Sequence, residues 1–302
     1  MLHVAAPIVL DRGHGQSAGP ALSVVRPQRG ALQRSTGHLH ISVDRGPDGH
    51  TLLRRLGQSG SARLLFPRAA GGLREAVVVN TSGGLAGGDR FDVEAEVGAG
   101  ARLTLTSQAA EKIYRALDIP ARMETRLRLD RGASLDWIPQ EAILFHQARL
   151  TRRLEVEMQA DASLLVAESV VFGRTERGET VRDGHFADLW RVRRGGKLIF
   201  AEQSLFSGDI AAQLAKPGVA QGAAAICAVL YVAPEAEARA DEMRAAMQEA
   251  AGAQSVAQGG ISAWNGMLAL RFVAEDGFML KRRLAALLRR LRGADNPSVW
   301  QF

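Results

Sequence analysis

A short motif recurs three times at nearly even spacing: Gly100-Ala-Arg-Leu-Thr-Leu105, Gly132-Ala-Ser-Leu-Asp-Trp137 and Asp161-Ala-Ser-Leu-Leu-Val166. Its alanines fall at 101, 133 and 162, intervals of 32 and 29 residues. Each copy follows an alternating segment: Val93 to Val97, Leu127 to Leu129, and Leu154 to Met158. Strand, tight turn, strand, repeated at that period, predicts stacked β-layers burying a shared core, because one such unit cannot cover its own apolar face. A row of ordinary β-hairpins in a sandwich is the competing arrangement.

The flanks read differently. Residues 1–35 are rich in Gly, Pro, Arg and Ser with little periodicity, which predicts a flexible N-terminal extension. The β-rich body is expected over 36–221. It includes the alternating His38-Leu-His-Ile-Ser-Val43 and the apolar run Ala76-Val-Val-Val-Asn80. Residues 222–302 read as an α+β portion packed on that body. Ala223–Val232 forms a strand there, and Pro234 to Ala251 a helix closed by Gly252. Ile261–Trp264 and Met267–Val273 pair as a hairpin about Asn265-Gly266. Phe278–Arg292 forms a second helix with Leu280, Leu284, Leu287, Leu288 and Leu291 on one face. The expected fold is mainly β: stacked β-layers resembling a β-helix, with a C-terminal βαββα portion carrying two helices.

Charge and cysteine content narrow the chemistry. The net charge is +6, but residues 1–60 carry +4 and residues 277–302 carry +5, which leaves the middle at −3. Only 4 of the 38 basic residues are lysine, and arginine's fork suits protein carboxylates as well as phosphate. With an acidic middle and few aromatic residues, no nucleic-acid partner is expected. The single cysteine, Cys227, excludes an internal disulfide and a Cys-rich zinc site, and reads as a small apolar side chain in a strand. No apolar run nears the ~20 residues that span a bilayer, and Met1 to Asp11 has no basic segment before its apolar stretch. No membrane partner and a cytoplasmic location are expected.

The glycine run Thr81-Ser-Gly-Gly-Leu-Ala-Gly-Gly-Asp89 is the one suspect for phosphate binding, but Asp89 stands where a Walker loop has Lys and a strand follows. A structural loop, with Asp89 bonding its own amides, accounts for it. Serine elbows, His-Glu-x-x-His helices and Cys-x-x-Cys pairs are missing. His38 and His40 share a strand face and read as an exposed edge pair; His146 and His185 stand alone. No closed metal site is visible. A transient path of carboxylates would hold a divalent transition metal only loosely.

Five segments resemble, in order and spacing, the UreD (UreH) family of urease accessory proteins. They are Asn80–Asp89; Thr106-Ser-Gln-Ala-Ala-Glu-Lys-Ile-Tyr-Arg115; Leu135-Asp-Trp-Ile-Pro-Gln-Glu-Ala-Ile-Leu-Phe145; Glu168-Ser-Val-Val-Phe-Gly-Arg174; and Arg177-Gly-Glu179. The resemblance runs from about residue 38 to the C-terminus. It implies a non-enzymatic chaperone or scaffold for urease maturation, with nickel(II) in transit and no permanent cofactor. It implies as partners the urease apoprotein and the accessory proteins UreF and UreG, the latter a nickel-carrying GTPase. Acidic residues within or beside the matched segments are the candidate nickel path: Asp89, Glu141, Glu168, Glu179 and Glu202. Each has an alternative as the partner of an arginine, such as Arg174 or Arg191. Lys112, Tyr114 and Arg115 read as packing or partner-surface residues. A β-helix-like carbohydrate-active enzyme with paired carboxylates is the other functional class the β-repeat allows.

Overall fold

The computed structural model describes residues 33–67, 75–251 and 259–300. The expected N-terminal extension therefore lies, through residue 32, outside the described residues. The chain begins with β1 (Thr36–Arg45), β2 (Thr51–Gly60) and β3 (Ala62–Leu65). Four solenoid coils follow. The first is β4 (Glu75–Asn80) and β5 (Arg90–Val97), and the second β6 (Arg102–Ser107), β7 (Glu111–Ile113) and β8 (Ala121–Leu129). The third is β9 (Ser134–Trp137), β10 (Ala142–Leu144) and β11 (Arg149–Met158), and the fourth β12 (Ser163–Phe172) and β13 (Gly184–Arg194). Then come β14 (Lys197–Gly208), α1 (Ile210–Leu214), β15 (Ala225–Val232), α2 (Ala240–Ala251), β16 (Gly259–Trp264), β17 (Met267–Ala274) and α3 (Gly277–Arg292).

The repeat is the stacking register. Leu103, Leu135 and Leu164 sit opposite one another in the parallel ladders β6·β9·β12. The preceding alanines, Ala101, Ala133 and Ala162, are buried at the turn into each coil, where a larger side chain would have no room. On the facing sheet β5, β8, β11 and β13 stack in parallel, with Val97, Leu129 and Met158 in one row. The sheets run β14-β13-β11-β8-β5-β1-β2 and β16-β17-β15-β12-β9-β6-β4-β3. A third, short ladder of β7, β10 and the end of β12 forms a corner. The hairpin-sandwich alternative fails, because the coil-to-coil pairings are parallel. After β13 the winding stops: β14 returns antiparallel on one sheet, and β15 antiparallel on the other.

Two cores result. One lies between the two sheets and runs the length of the solenoid. The other lies on the outer face of β12, β15 and β17, where Met243 and Met247 of α2 and Leu280, Leu284, Leu287, Leu288 and Leu291 of α3 cover Leu165, Cys227, Val229, Leu268 and Leu270. The C-terminal strands thus extend the solenoid's own sheet.

Three expectations are revised. The helix expected from Pro234 starts at Ala240, after a 3-10 turn at Glu237–Arg239. A third, short helix, α1, is added. His38 and His40 do share the outward face, but β1 is not an edge: β2 and β5 flank it. The Asn265-Gly266 turn forms as expected, with both residues at positive φ.

Candidate functional site

Alternation along a strand inside a solenoid should bring only apolar side chains inward. Three charged side chains at inward positions break that rule in coils three and four. In β11 the buried series is Leu150, Arg152, Leu154, Val156, Met158; in β13 it is Phe186, Asp188, Trp190, Val192; in β12 Glu168 sits between Val166 and Val170. Arg152 and Asp188 are directly opposed in the β11·β13 ladder, and Glu168 faces them from the other sheet.

Arg152 forks onto Asp188, with Nε donating to Oδ1 at 3.1 Å and Nη2 to Oδ2 at 2.6 Å. The same Nε lies 3.1 Å from Glu168 Oε2. Glu168 Oε1 accepts from Trp137 Nε1 at 2.8 Å. All three charged side chains are nearly excluded from solvent. One guanidinium between two carboxylates leaves this layer a negative charge in excess. Burial, with Asp188's charge adding to it, pushes the Glu168 carboxyl up, against the pull of Arg152 and Trp137. Burial works against the Arg152 cation, but Asp188 and Glu168 together hold it protonated.

Against this layer, between the two sheets, lies a partly open cavity of about 860 Å³. Glu168, Arg152 and Asp188 line its inner end. Glu202 of β14 and Arg271 of β17 line it further out and form an ion pair from one sheet to the other. Residues 217–221 form part of its wall, and Glu275 adds another acid. The register explains the placement: Glu168, Ala228 and Arg271 form one cross-strand row, opposite rows carrying Asp188 with Ser204 and Trp190 with Glu202.

Of the five candidate acids, the structure brings together Glu168 and Glu202. Asp89 is buried at the glycine loop, where its carboxylate accepts from the amides of Ser35 and Ala86, each at 2.8 Å. Glu179 accepts from Arg174 Nε at 2.7 Å and from the amide of His146 at 3.3 Å, which keeps its carboxyl below the usual range. Glu141 is half-buried just before β10 and does not line the cavity. Arg191 faces outward, whereas Arg174, Arg152 and Arg271 each hold one of the candidate acids. Sequence reading missed Arg152, Asp188 and Arg271. For Arg152 and Asp188 a signal was present, a charged residue in the buried phase of an alternating strand; exposed Arg271 carried none. Among the described residues no three His, Cys, Asp or Glu side chains are grouped to hold a metal ion.

Fold and site together define a β-solenoid protein with an internal acid–arginine layer opening to a cavity. The family described as UreD urease accessory protein matches residues 35–301. The chain is 44% identical over 269 residues to the urease accessory protein UreD of Methylobacterium sp. (strain 4-46), covering 89% of this chain and 95% of that protein. It is 46% identical over 270 residues to that of Rhodopseudomonas palustris (strain BisA53), covering 89% and 92%, and 44% identical over 283 residues to that of Xanthobacter autotrophicus, covering 94% and 95%. The chain belongs to the UreD family of urease accessory proteins. That membership replaces the carbohydrate-enzyme alternative: the family is one of accessory proteins, not of enzymes. No helix among the described residues is long and apolar enough to cross a membrane.

Proposed function

We propose that this protein relays nickel(II) from the UreF and UreG accessory complex, in the cytoplasm, to the urease apoprotein. In this reading the cavity at the solenoid's end is a station on the nickel's route. One observation carries it: an inter-sheet cavity with Glu168, Asp188, Glu202 and Glu275 on its walls against Arg152 and Arg271. Oxygen donors alone hold nickel weakly, which suits a carrier that must release its cargo. The arginines fit the same reading. A carboxylate buried without a counter-ion is costly, so between passages the guanidiniums supply the positive charge. A cation that enters takes over a carboxylate, and the arginine swings back when it leaves. Asp89 and Glu179, each engaged at its own turn, serve the architecture in this scheme.

The test is urease activation with the full complex carrying Glu168→Gln or Glu202→Gln. We expect urease that is folded and bound to its accessory proteins but nickel-poor by metal analysis. Full nickel loading by both variants overturns the route through this cavity. Loss of complex assembly instead makes these residues structural.

A further inference from the structure

The five sequence segments that carry the family resemblance converge on one place that the nickel reading does not use. The parallel corner ladder sets Leu85, Ile113, Leu144 and Phe172 in one inward column. The residues just after them come out on the surface of successive coils. Tyr114 meets Phe145 edge-to-face at 5.4 Å, and Arg174 lies 4.6 Å over the other end of the stack, on Phe145. Glu179 clamps Arg174, and the Tyr114 hydroxyl donates to the carbonyl of Gly83 at 2.9 Å. The glycine loop is pressed on the same corner: a Cβ on Gly84 would sit 2.4 Å from the Tyr114 ring, and one on Gly87 2.5 Å from the Cβ of Ala116. The corner is therefore rigid.

From this rigid base the 114–120 loop exposes apolar surface. Leu117 is 64% exposed, Ile119 60% and Tyr114 38%. Single exposed leucines need no explanation, but three large apolar side chains within six residues, on a preorganised base, do. Lys112 and Arg115 flank Tyr114, both exposed and neither ion-paired among the described residues, whereas Arg174 on the same corner is held by Glu179. Asp118 is the only acid inside the loop. Tyrosine and arginine around an apolar centre on a rigid platform is the composition of an interface hot spot.

We propose that the corner formed by Lys112, Tyr114, Arg115, Leu117 and Ile119 docks a protein partner with an acidic, apolar-centred surface. The unpaired cations select acid, and the two aliphatic tips select an apolar hollow. A second copy of this chain fits less well, since its self-complementary contact would bring two unpaired basic patches together.

The test measures equilibrium binding of the full-length protein to purified urease apoprotein and, separately, to the purified accessory complex, without nickel, at low and high salt. Three variants are compared: Leu117→Asp with Ile119→Asp, Arg115→Glu alone, and Leu205→Asp, an exposed control on β14. We expect the first two to weaken binding to at least one partner by about tenfold or more, with melting temperature and the control unchanged, and Arg115→Glu to flatten the salt dependence. Binding to both partners within about twofold of the parent overturns the proposal. So does a parent dimer that the variants dissociate in sedimentation, or an effect confined to DNA retention. Because no nickel is present, failure here leaves the cargo route untouched, and failure of that route leaves this surface untouched.

Discussion

Glu111 illustrates how much a single side chain can couple the fold to pH. It lies on β7, its carboxylate accepts from Asn80 Nδ2 at 2.9 Å, and burial pushes its pKa up to about 7 against that hydrogen bond. The folded state therefore holds a proton that the unfolded chain releases near pH 4.5. The stability this group confers is complete below that value and is lost as pH rises through about 7. Glu111→Gln keeps an acceptor for Asn80 and removes the charge. Urea denaturation from pH 5 to pH 8 should show a parent that loses stability, on the order of 2 kcal/mol, relative to a flatter variant. Parallel curves would show that Glu111 ionises as freely folded as unfolded. Gly87 poses the opposite problem, one of space. Its missing Cβ faces Ala116 and the carbonyl of Ile119 at 2.7 Å, so Gly87→Ala must push one coil off the next. We expect a loss of about 1–3 kcal/mol by the same measurement, and none if the loop stands clear of the corner.

Among the elements, those whose cues are local could be read in advance. The Asn265-Gly266 hairpin forms where its turn residues say. Helix α3 runs between an Asp276 cap, whose carboxylate accepts from the Met279 amide at 2.8 Å, and a left-handed Gly293. The three-fold motif gave the coils because stacking places like residues on like, so register is written into the spacing. What stayed illegible depended on long-range partners. Gly195-Gly196, both at positive φ, turn β13 back into β14 and mark its antiparallel return, but no local cue says that the winding ends there, and α2 starts late because Pro234 opens a turn rather than the helix. The last residues also resisted reading. Trp300 is buried, and its indole N–H donates to Thr106 Oγ1 at 3.0 Å and to the carbonyl of Ile138 at 3.1 Å, tying the C-terminus to coils two and three. Trp300→Ala should cost about 3–5 kcal/mol in chemical denaturation. A cost under about 1 kcal/mol would mean that the tail is dispensable to the solenoid.

Across the whole molecule, the site was half legible for a physical reason. Glu168 and Glu202 stood in or beside matched segments, but the arginines that answer them are assigned by the meeting of two sheets, which no local spacing records. In the proposed relay, that meeting would also set how tightly the cavity holds a cation. Arg152 is gripped by two buried carboxylates, so removing it leaves both without a counter-ion; Arg152→Met should destabilise the fold by about 3–5 kcal/mol. Arg271 is different: its side chain is 62% exposed and reaches Glu202, itself only 13% exposed, from the cavity's outer part. It competes with any cation for that carboxylate at little structural cost. Arg271→Ala should therefore leave thermal stability nearly unchanged while binding nickel(II) several-fold more tightly in equilibrium dialysis, because Glu202 then needs a counter-ion. If the cavity is a station on a delivery route, the same variant should also release nickel more slowly and lower the rate of urease activation: a tighter site makes a poorer relay. Unchanged nickel affinity in Arg271→Ala would detach Glu202 from the route and leave only the buried layer to account for it.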